Sequence, residues 1–172
     1  REGGRNGAPN LGAKICQAHL LWARTLAEPA PARFLARLPG QVIRAVNRRG
    51  KFLVLALSLD YLLIHLRMSG DLRVEPFDGP VSDLPYASHD RLVFDLEVTG
   101  RGLRLAFNDP RKFGRVWMAT DPDQILKKLG PEPLDPRFTS QDLYQRLTQF
   151  KRQIKPLLLD QSFLAGLGNI YT

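Results

Sequence analysis

The residues of this sequence best suited to chemistry lie in one stretch, Asn108-Asp109-Pro110-Arg111-Lys112-Phe113-Gly114-Arg115. Long cationic side chains hold phosphates, and a planar guanidinium also pairs with a base edge or fills a vacated stack. An aromatic ring beside them can wedge between bases. Asn-Asp-Pro followed by a glycine is turn chemistry. The flanking residues 102–107 and 115–119 read as strands, the first alternating apolar and polar side chains. The cations and the ring therefore sit on a loop between two strands. The ordinary alternative is a solvated basic hairpin with Phe113 tucked into the core.

Other reactive side chains are weaker signals alone. His65 on an apolar strand reads as a satisfied core or edge histidine, Met68 as core filler, and Lys51 as a solvated strand end. Cys16 and His19 suggest half of a metal site, but no second pair follows, so no metal ligand is assigned. Ser69 and Asp71 near His65 do not make a catalytic triad, because nothing marks a nucleophile turn.

Composition narrows the partner. The chain has 172 residues, 44% of them hydrophobic, enough for one packed domain or one domain and part of another. The net charge is +8, and residues 1–58 carry all of the excess: ten Lys/Arg face only Glu2 and Glu28, while fifteen of each sign follow. A concentrated basic excess favours a polyanion, most often nucleic acid. The apolar run 52–66 is broken by Ser58, Asp60 and His65, so it is no membrane span. Residues 1–10 are polar and glycine-rich, unlike a signal peptide. Cys16 is the only cysteine, which excludes an intrachain disulfide and suits a cytoplasmic, nucleoid-associated setting.

The elements that must position these groups follow from periodicity. Strands are expected at 11–22, 42–48, 51–58, 61–67, 71–74, 91–98, 102–107 and 115–119, with a short helix at 31–38 and a loop at 75–88. Such a run of strands joined by short turns signals an antiparallel sandwich or barrel. From Asp121 the pattern turns helical: a short helix at 122–129, a stiff linker at 130–134, a helix at 139–150 capped by Thr139 or Ser140, and one at 156–164 with Pro156 in its first position. Asn169 is placed to cap a further helix.

Four pieces in order change the picture: Arg49-Gly50-Lys51-Phe52-Leu53, then His65-Leu66-Arg67-Met68-Ser69-Gly70, then the 108–114 loop, then Ile154-Lys155-Pro156-Leu157-Leu158-Leu159-Asp160-Gln161 running into Gly166-Leu167-Gly168-Asn169-Ile170-Tyr171. Together with the linker 129–134 they resemble formamidopyrimidine-DNA glycosylase, a bacterial base-excision repair family, over roughly residues 11–172. The resemblance implies an α+β fold: an antiparallel β-sandwich over 1–120, a linker with a short helix over 121–138, and the beginning of a helix–two-turn–helix domain over 139–172. It implies a bifunctional DNA glycosylase and abasic-site lyase that removes oxidised purines, such as 8-oxoguanine and formamidopyrimidines, from damaged double-stranded DNA, as a monomer.

Residue roles follow from the same resemblance. Lys51 looks like the loop lysine that contacts the lesion phosphate and assists elimination. His65 and Asn169 look like phosphate ligands, the latter at a helix N-terminus whose free N–H groups suit an anion. Met68, Arg111 and Phe113 look like the residues that fill the stack once the damaged nucleotide is flipped out. His89, Lys151 and Lys155 fall near positions where the family touches DNA. Two departures qualify this. The family's Pro-Glu-Leu-Pro-Glu motif, whose terminal proline is the nucleophile, is absent here, and so is its four-cysteine zinc finger. The expectation is a polypeptide without the nucleophile and inactive by itself, with no cofactor of its own and zinc only in a full-length member. The rivals are a non-catalytic DNA-binding fragment or paralogue, and an endonuclease VIII-type enzyme acting on oxidised pyrimidines.

Overall fold

The computed structural model describes residues 11–77, 85–170 and 172. They fall into two compact units, the first comprising Arg1–Asn47 and Phe52–Pro122, the second Arg48–Lys51 and Asp123–Thr172.

In chain order the first unit holds β1 (Lys14–Leu20), a 3-10 turn (Ala23–Thr25), β2 (Leu26–Glu28), α1 (Pro31–Arg37), β3 (Ile43–Arg49, its last residues passing into the second unit), β4 (Phe52–Leu57), β5 (Tyr61–His65), β6 (Asp71–Phe77), β7 (Asp90–Val98), β8 (Arg101–Asn108) and β9 (Arg115–Ala119). One sheet has the order β1-β7-β8-β6 and the other β2-β9-β5-β4-β3. Alternate side chains make the core between them. Leu92, Phe94 and Leu96 of β7 and Leu105 and Phe107 of β8 cluster with Leu62 and Ile64 of β5 and Val116 and Met118 of β9. Phe34 and Leu38, in and just after α1, join the same cluster. The α+β sandwich expected from the strand pattern is the architecture observed.

Two buried charged groups of this sandwich pair with each other, which offsets the cost of their burial. Asp95 and Arg104 face each other across β7 and β8 and bond at 3.0 Å. The second Asp95 oxygen takes His19 Nε2 at 2.6 Å. His19 is thus held by Asp95.

Several local details differ from the sequence expectation. β6 runs through Pro76 to Phe77, three residues into the expected loop; it is an edge strand, where a missing N–H need not cost a ladder bond. The rest of that loop, 78–84, lies outside the described residues. The turn between β7 and β8 is shorter than expected, with Thr99 and Gly100 at φ 48° and 80°, the pattern of a tight two-residue hairpin. β2 was not anticipated. It is three residues long and pairs parallel with β9, a partner nearly ninety positions away.

The second unit holds α2 (Asp123–Leu126), α3 (Ser140–Thr148) and α4 (Ile154–Leu159). Thr139 caps α3 in a reciprocal box with Asp142, whose carboxyl the Thr139 N–H and hydroxyl hold below the usual range. Leu143 and Leu147 pack on a small core of Leu157, Phe163 and Leu164. α4 begins at Ile154, so Pro156 is its third residue rather than its first; the N–H groups of a first turn have no intrahelical partner, so proline is accepted there. It also ends earlier than expected, at Leu159. Asp160 leaves the helical conformation and accepts from both the N–H and the hydroxyl of Ser162. Residues 169 and 170 form a turn; the expected final helix runs into residue 171, outside the described residues.

Candidate nucleic-acid interface

The 109–114 loop is organised by Asp109. Its side chain is 1% exposed. Oδ1 accepts from the Arg111 N–H at 3.2 Å and Oδ2 from the Gly114 N–H at 2.7 Å, so the carboxylate folds the loop around itself. The Ser69 hydroxyl donates to Oδ1 at 2.5 Å. Burial alone would raise this carboxyl; the bonds from Ser69, Gly114, Arg111 and Phe113 outweigh it and hold the group below its ordinary value. The Asp109 carbonyl accepts from Arg91 Nε at 2.8 Å, stitching the loop to β7.

Within this frame the three central side chains separate. Lys112 adopts φ 61°. Its ammonium lies 4.0 Å from the centre of the Trp22 ring. Arg111 instead stacks on Phe113, guanidinium carbon to ring centre 5.0 Å, and points Nη1 to the Met68 sulfur at 3.7 Å. Met68 is 75% exposed and Phe113 50%. Phe113 is therefore not the core residue of a plain hairpin. A thioether, a guanidinium and a ring form one exposed apolar and cationic tip on the first unit.

The loop that carries Met68 is equally constrained. Arg67 sits at φ 59°, and the Gly70 N–H returns to the Leu66 carbonyl at 3.0 Å. A side chain on Gly70 would meet the Leu66 carbonyl oxygen at 2.5 Å and the Phe107 ring at 2.9 Å; one on Gly114 would meet that same ring at 2.3 Å. Phe107, fully buried, is the floor of both loops.

His65 is only 8% exposed and packs edge-on against Phe52 at 4.9 Å. Its Nδ1 accepts from the Arg67 N–H at 3.1 Å, so the neutral ring carries its proton on Nε2. His89 is exposed at the start of β7, where its carbonyl accepts from the Asp109 N–H at 2.9 Å.

In the second unit, the tip of the β3–β4 hairpin is gripped by Glu132. Its carboxylate accepts a short bond from the Gly50 N–H, the main reason its pKa is lowered, and pairs with Arg49 at 3.1 Å. Arg49 also donates to the Gly130 carbonyl at 2.8 Å. Gly50 takes φ 57°, which leaves the next residue, Lys51, exposed at the tip. A side chain at Gly168 would come within 3.4 Å of Lys51 Nζ, so the glycine lies beside the ammonium, and Asn169 is the next residue. Lys151 and Lys155 are exposed at and before the start of α4. A zinc site of four thiolates finds a single donor in this sequence, Cys16, so these residues do not fit one.

Sequence reasoning found the tip but missed its supports: Ser69, Asp109, Phe107, Trp22 and, at the hairpin, Glu132. The Asn-Asp-Pro turn signal pointed at Asp109 only as a turn former; its bond to Ser69, forty positions away, leaves no periodic trace.

Comparison with known proteins identifies the family. Residues 6–116 match the family described as formamidopyrimidine-DNA glycosylase N-terminal domain, and residues 129–172 the formamidopyrimidine-DNA glycosylase H2TH domain. The chain is 41% identical over 162 residues to the formamidopyrimidine-DNA glycosylase of Protochlamydia amoebophila, covering 94% of this chain and 56% of that protein. To the one from Syntrophotalea carbinolica it is 44% identical over 160 residues, covering 91% and 54%. It thus spans a little over half the length of these relatives. Among solved structures, the Lactococcus lactis enzyme bound non-covalently to DNA containing an abasic site superposes with a TM-score of 0.81 at 32% identity, over 95% of this chain and 60% of that one. The same enzyme with DNA containing FAPY-dG gives 0.81 at 33%, over 95% and 60%. With the greater part of its length matched to the first of these domains and most of the remainder to the second, the chain belongs to the formamidopyrimidine-DNA glycosylase family.

Proposed function

We propose that this chain is the lesion-probing part of a base-excision repair glycosylase and abasic-site lyase acting on oxidised purines in double-stranded DNA, in a cytoplasmic, nucleoid-associated setting. The observation that carries this reading is the exposed tip of Met68, Arg111 and Phe113. Two apolar groups and a guanidinium held together in solvent are poorly accounted for by stability alone. They suit the gap left when a nucleotide is extruded: Phe113 as wedge, Met68 as filler, Arg111 facing the orphaned base. Support also comes from the solved relatives, whose DNA contains an abasic site or FAPY-dG.

The remaining candidates bind the backbone. Lys51 offers a point charge to the lesion phosphate and stabilises charge as the strand is cut. His65 donates from Nε2. Asn169, His89, Lys151 and Lys155 add contacts that position without reading sequence. In the implied chemistry an amine attacks the anomeric carbon, the damaged base departs with the bonding electrons, and the resulting Schiff base allows elimination of the 3′ phosphate. The amine used by the family is a proline within Pro-Glu-Leu-Pro-Glu, a motif these 172 residues do not contain.

The test is binding followed by borohydride trapping. These residues should bind duplex carrying an abasic-site analogue in preference to undamaged duplex, with affinity falling steeply in salt, and should give no trapped adduct. A chain supplemented with the family's proline motif should trap on 8-oxoguanine duplex. Equal binding of both duplexes would remove the lesion-probe reading, trapping confined to oxidised pyrimidines would favour the endonuclease VIII-type specificity, and an adduct on the 172 residues would make Lys51 the first amine to examine.

A further inference from the structure

We propose that Ser69 and Asp109 are positioning residues that latch the 66–70 and 109–114 loops into a single probe, so that Met68, Arg111 and Phe113 enter and leave the base stack as one body. The inference rests on the lesion-probe reading above and adds to it the device that couples its two halves.

The Asp109 carboxylate is shut away from solvent at 1% exposure, so it is not itself a DNA-contacting group. All of its bonding is internal. It takes the Arg111 and Gly114 N–H groups of its own loop and the Ser69 hydroxyl of the other. Ser69 directly follows Met68, and Arg111 lies two positions from Asp109. One carboxylate therefore fixes the backbone beside each probe side chain. Both loops also hold a non-glycine residue in the left-handed region next to a probe residue: Arg67 at φ 59° before Met68, and Lys112 at φ 61° between Arg111 and Phe113. Such conformations persist only where the surroundings over-determine them. The shared carboxylate, with the Phe107 floor beneath both loops, supplies that determination. Without the latch, two strained loops relax separately and the contact of Arg111 Nη1 with the Met68 sulfur at 3.7 Å is lost.

Ser69→Ala removes the bond between the loops while leaving those within each; Ser69→Thr keeps the hydroxyl and serves as the rescue. The chain has two methionines, Met68 and Met118, and Met118 is buried at 6%. The methionine ¹³C-methyl NMR spectrum therefore reports Met68 with Met118 as an internal check on folding. In Ser69→Ala the Met68 methyl should move towards its free-residue position while Met118 stays, and Ser69→Thr should restore the native signal. The ratio of dissociation constants for undamaged duplex against duplex with a tetrahydrofuran abasic analogue should fall about tenfold in Ser69→Ala, the scale of one charge-assisted hydrogen bond. Affinity for undamaged duplex should hold, because the phosphate contacts are elsewhere. A Met68 methyl unchanged in Ser69→Ala overturns the latch whatever the DNA result, as does an unchanged ratio. A wild-type chain with no preference between the duplexes would instead fault the lesion-probe reading, and the methyl spectrum would still decide the latch.

Discussion

The ammonium of Lys112 sits 4.0 Å above the Trp22 ring, while its neighbours Arg111 and Phe113 stack on each other. Adjacent cations are thereby given different work: Arg111 belongs to the exposed tip and Lys112 braces the loop from behind. Lys112→Gln should shift the emission of Trp22, read in a Trp117→Phe background, and cost on the order of 0.5–1 kcal/mol in stability. The salt dependence of DNA binding should not change. A reduced salt slope would mean that Lys112 leaves Trp22 for a phosphate.

Lys51 should behave in the opposite way. As an exposed ammonium on a glycine-framed hairpin tip, Lys51→Ala should weaken binding to damaged and undamaged duplexes alike. The log–log salt slope should shrink by about one unit. Titrations at several salt concentrations check this, and a loss restricted to lesion duplex would contradict it.

The tip and its floor should separate in stability measurements. Arg111→Ala and Phe113→Ala remove exposed groups and should alter unfolding free energy by no more than about 0.5 kcal/mol. Phe107→Ala empties a fully buried site and should cost roughly 3–5 kcal/mol. In a catalytically complete form, Arg111→Ala should also lose about 1–3 kcal/mol of discrimination by the base opposite the lesion. Denaturant unfolding and opposite-base competition are the two readouts.

Asp109 gives a pH signature. Its carboxyl is held below the ordinary value, so the unfolded chain takes up the proton first as pH falls. The stability it contributes is complete above the ordinary carboxylate range, near pH 4, and is lost as pH drops through the lowered folded value. The Met68 methyl signal should hold from neutrality to about pH 4 and change below it. In Asp109→Asn the acid step should vanish, and the amide, which can accept at one end only, should leave either the Arg111 or the Gly114 N–H without its partner.

How far the sequence revealed these features depended on the range of the interactions. The period-2 strands, the Thr139 cap and the 108–115 loop all lie within a few residues of their causes, and they were found. β2 needs β9 before it is a strand at all. The early start of α4 at Ile154 was hidden by Pro156, which suits several positions of a first turn. The opposite directions of Arg111 and Lys112 turn on one left-handed residue and on Trp22, ninety positions away. The resemblance supplied Met68, Arg111 and Phe113 as a set, but not Asp109, whose work is to hold them and which never meets solvent.

Phe107 has a consequence for how this chain can vary. Its ring lies against both Gly70 and Gly114, but only at Gly114 is it the nearest obstacle to a side chain. A larger residue at 114 demands a smaller one at 107, which hollows the core of the sandwich beneath both loops, whereas one at 70 also meets the Leu66 carbonyl oxygen at 2.5 Å, which no change at 107 relieves. Across natural variants Gly70 should therefore stand still and positions 107 and 114 drift in concert, while Pro110, exposed on the same loop, remains free to change alone.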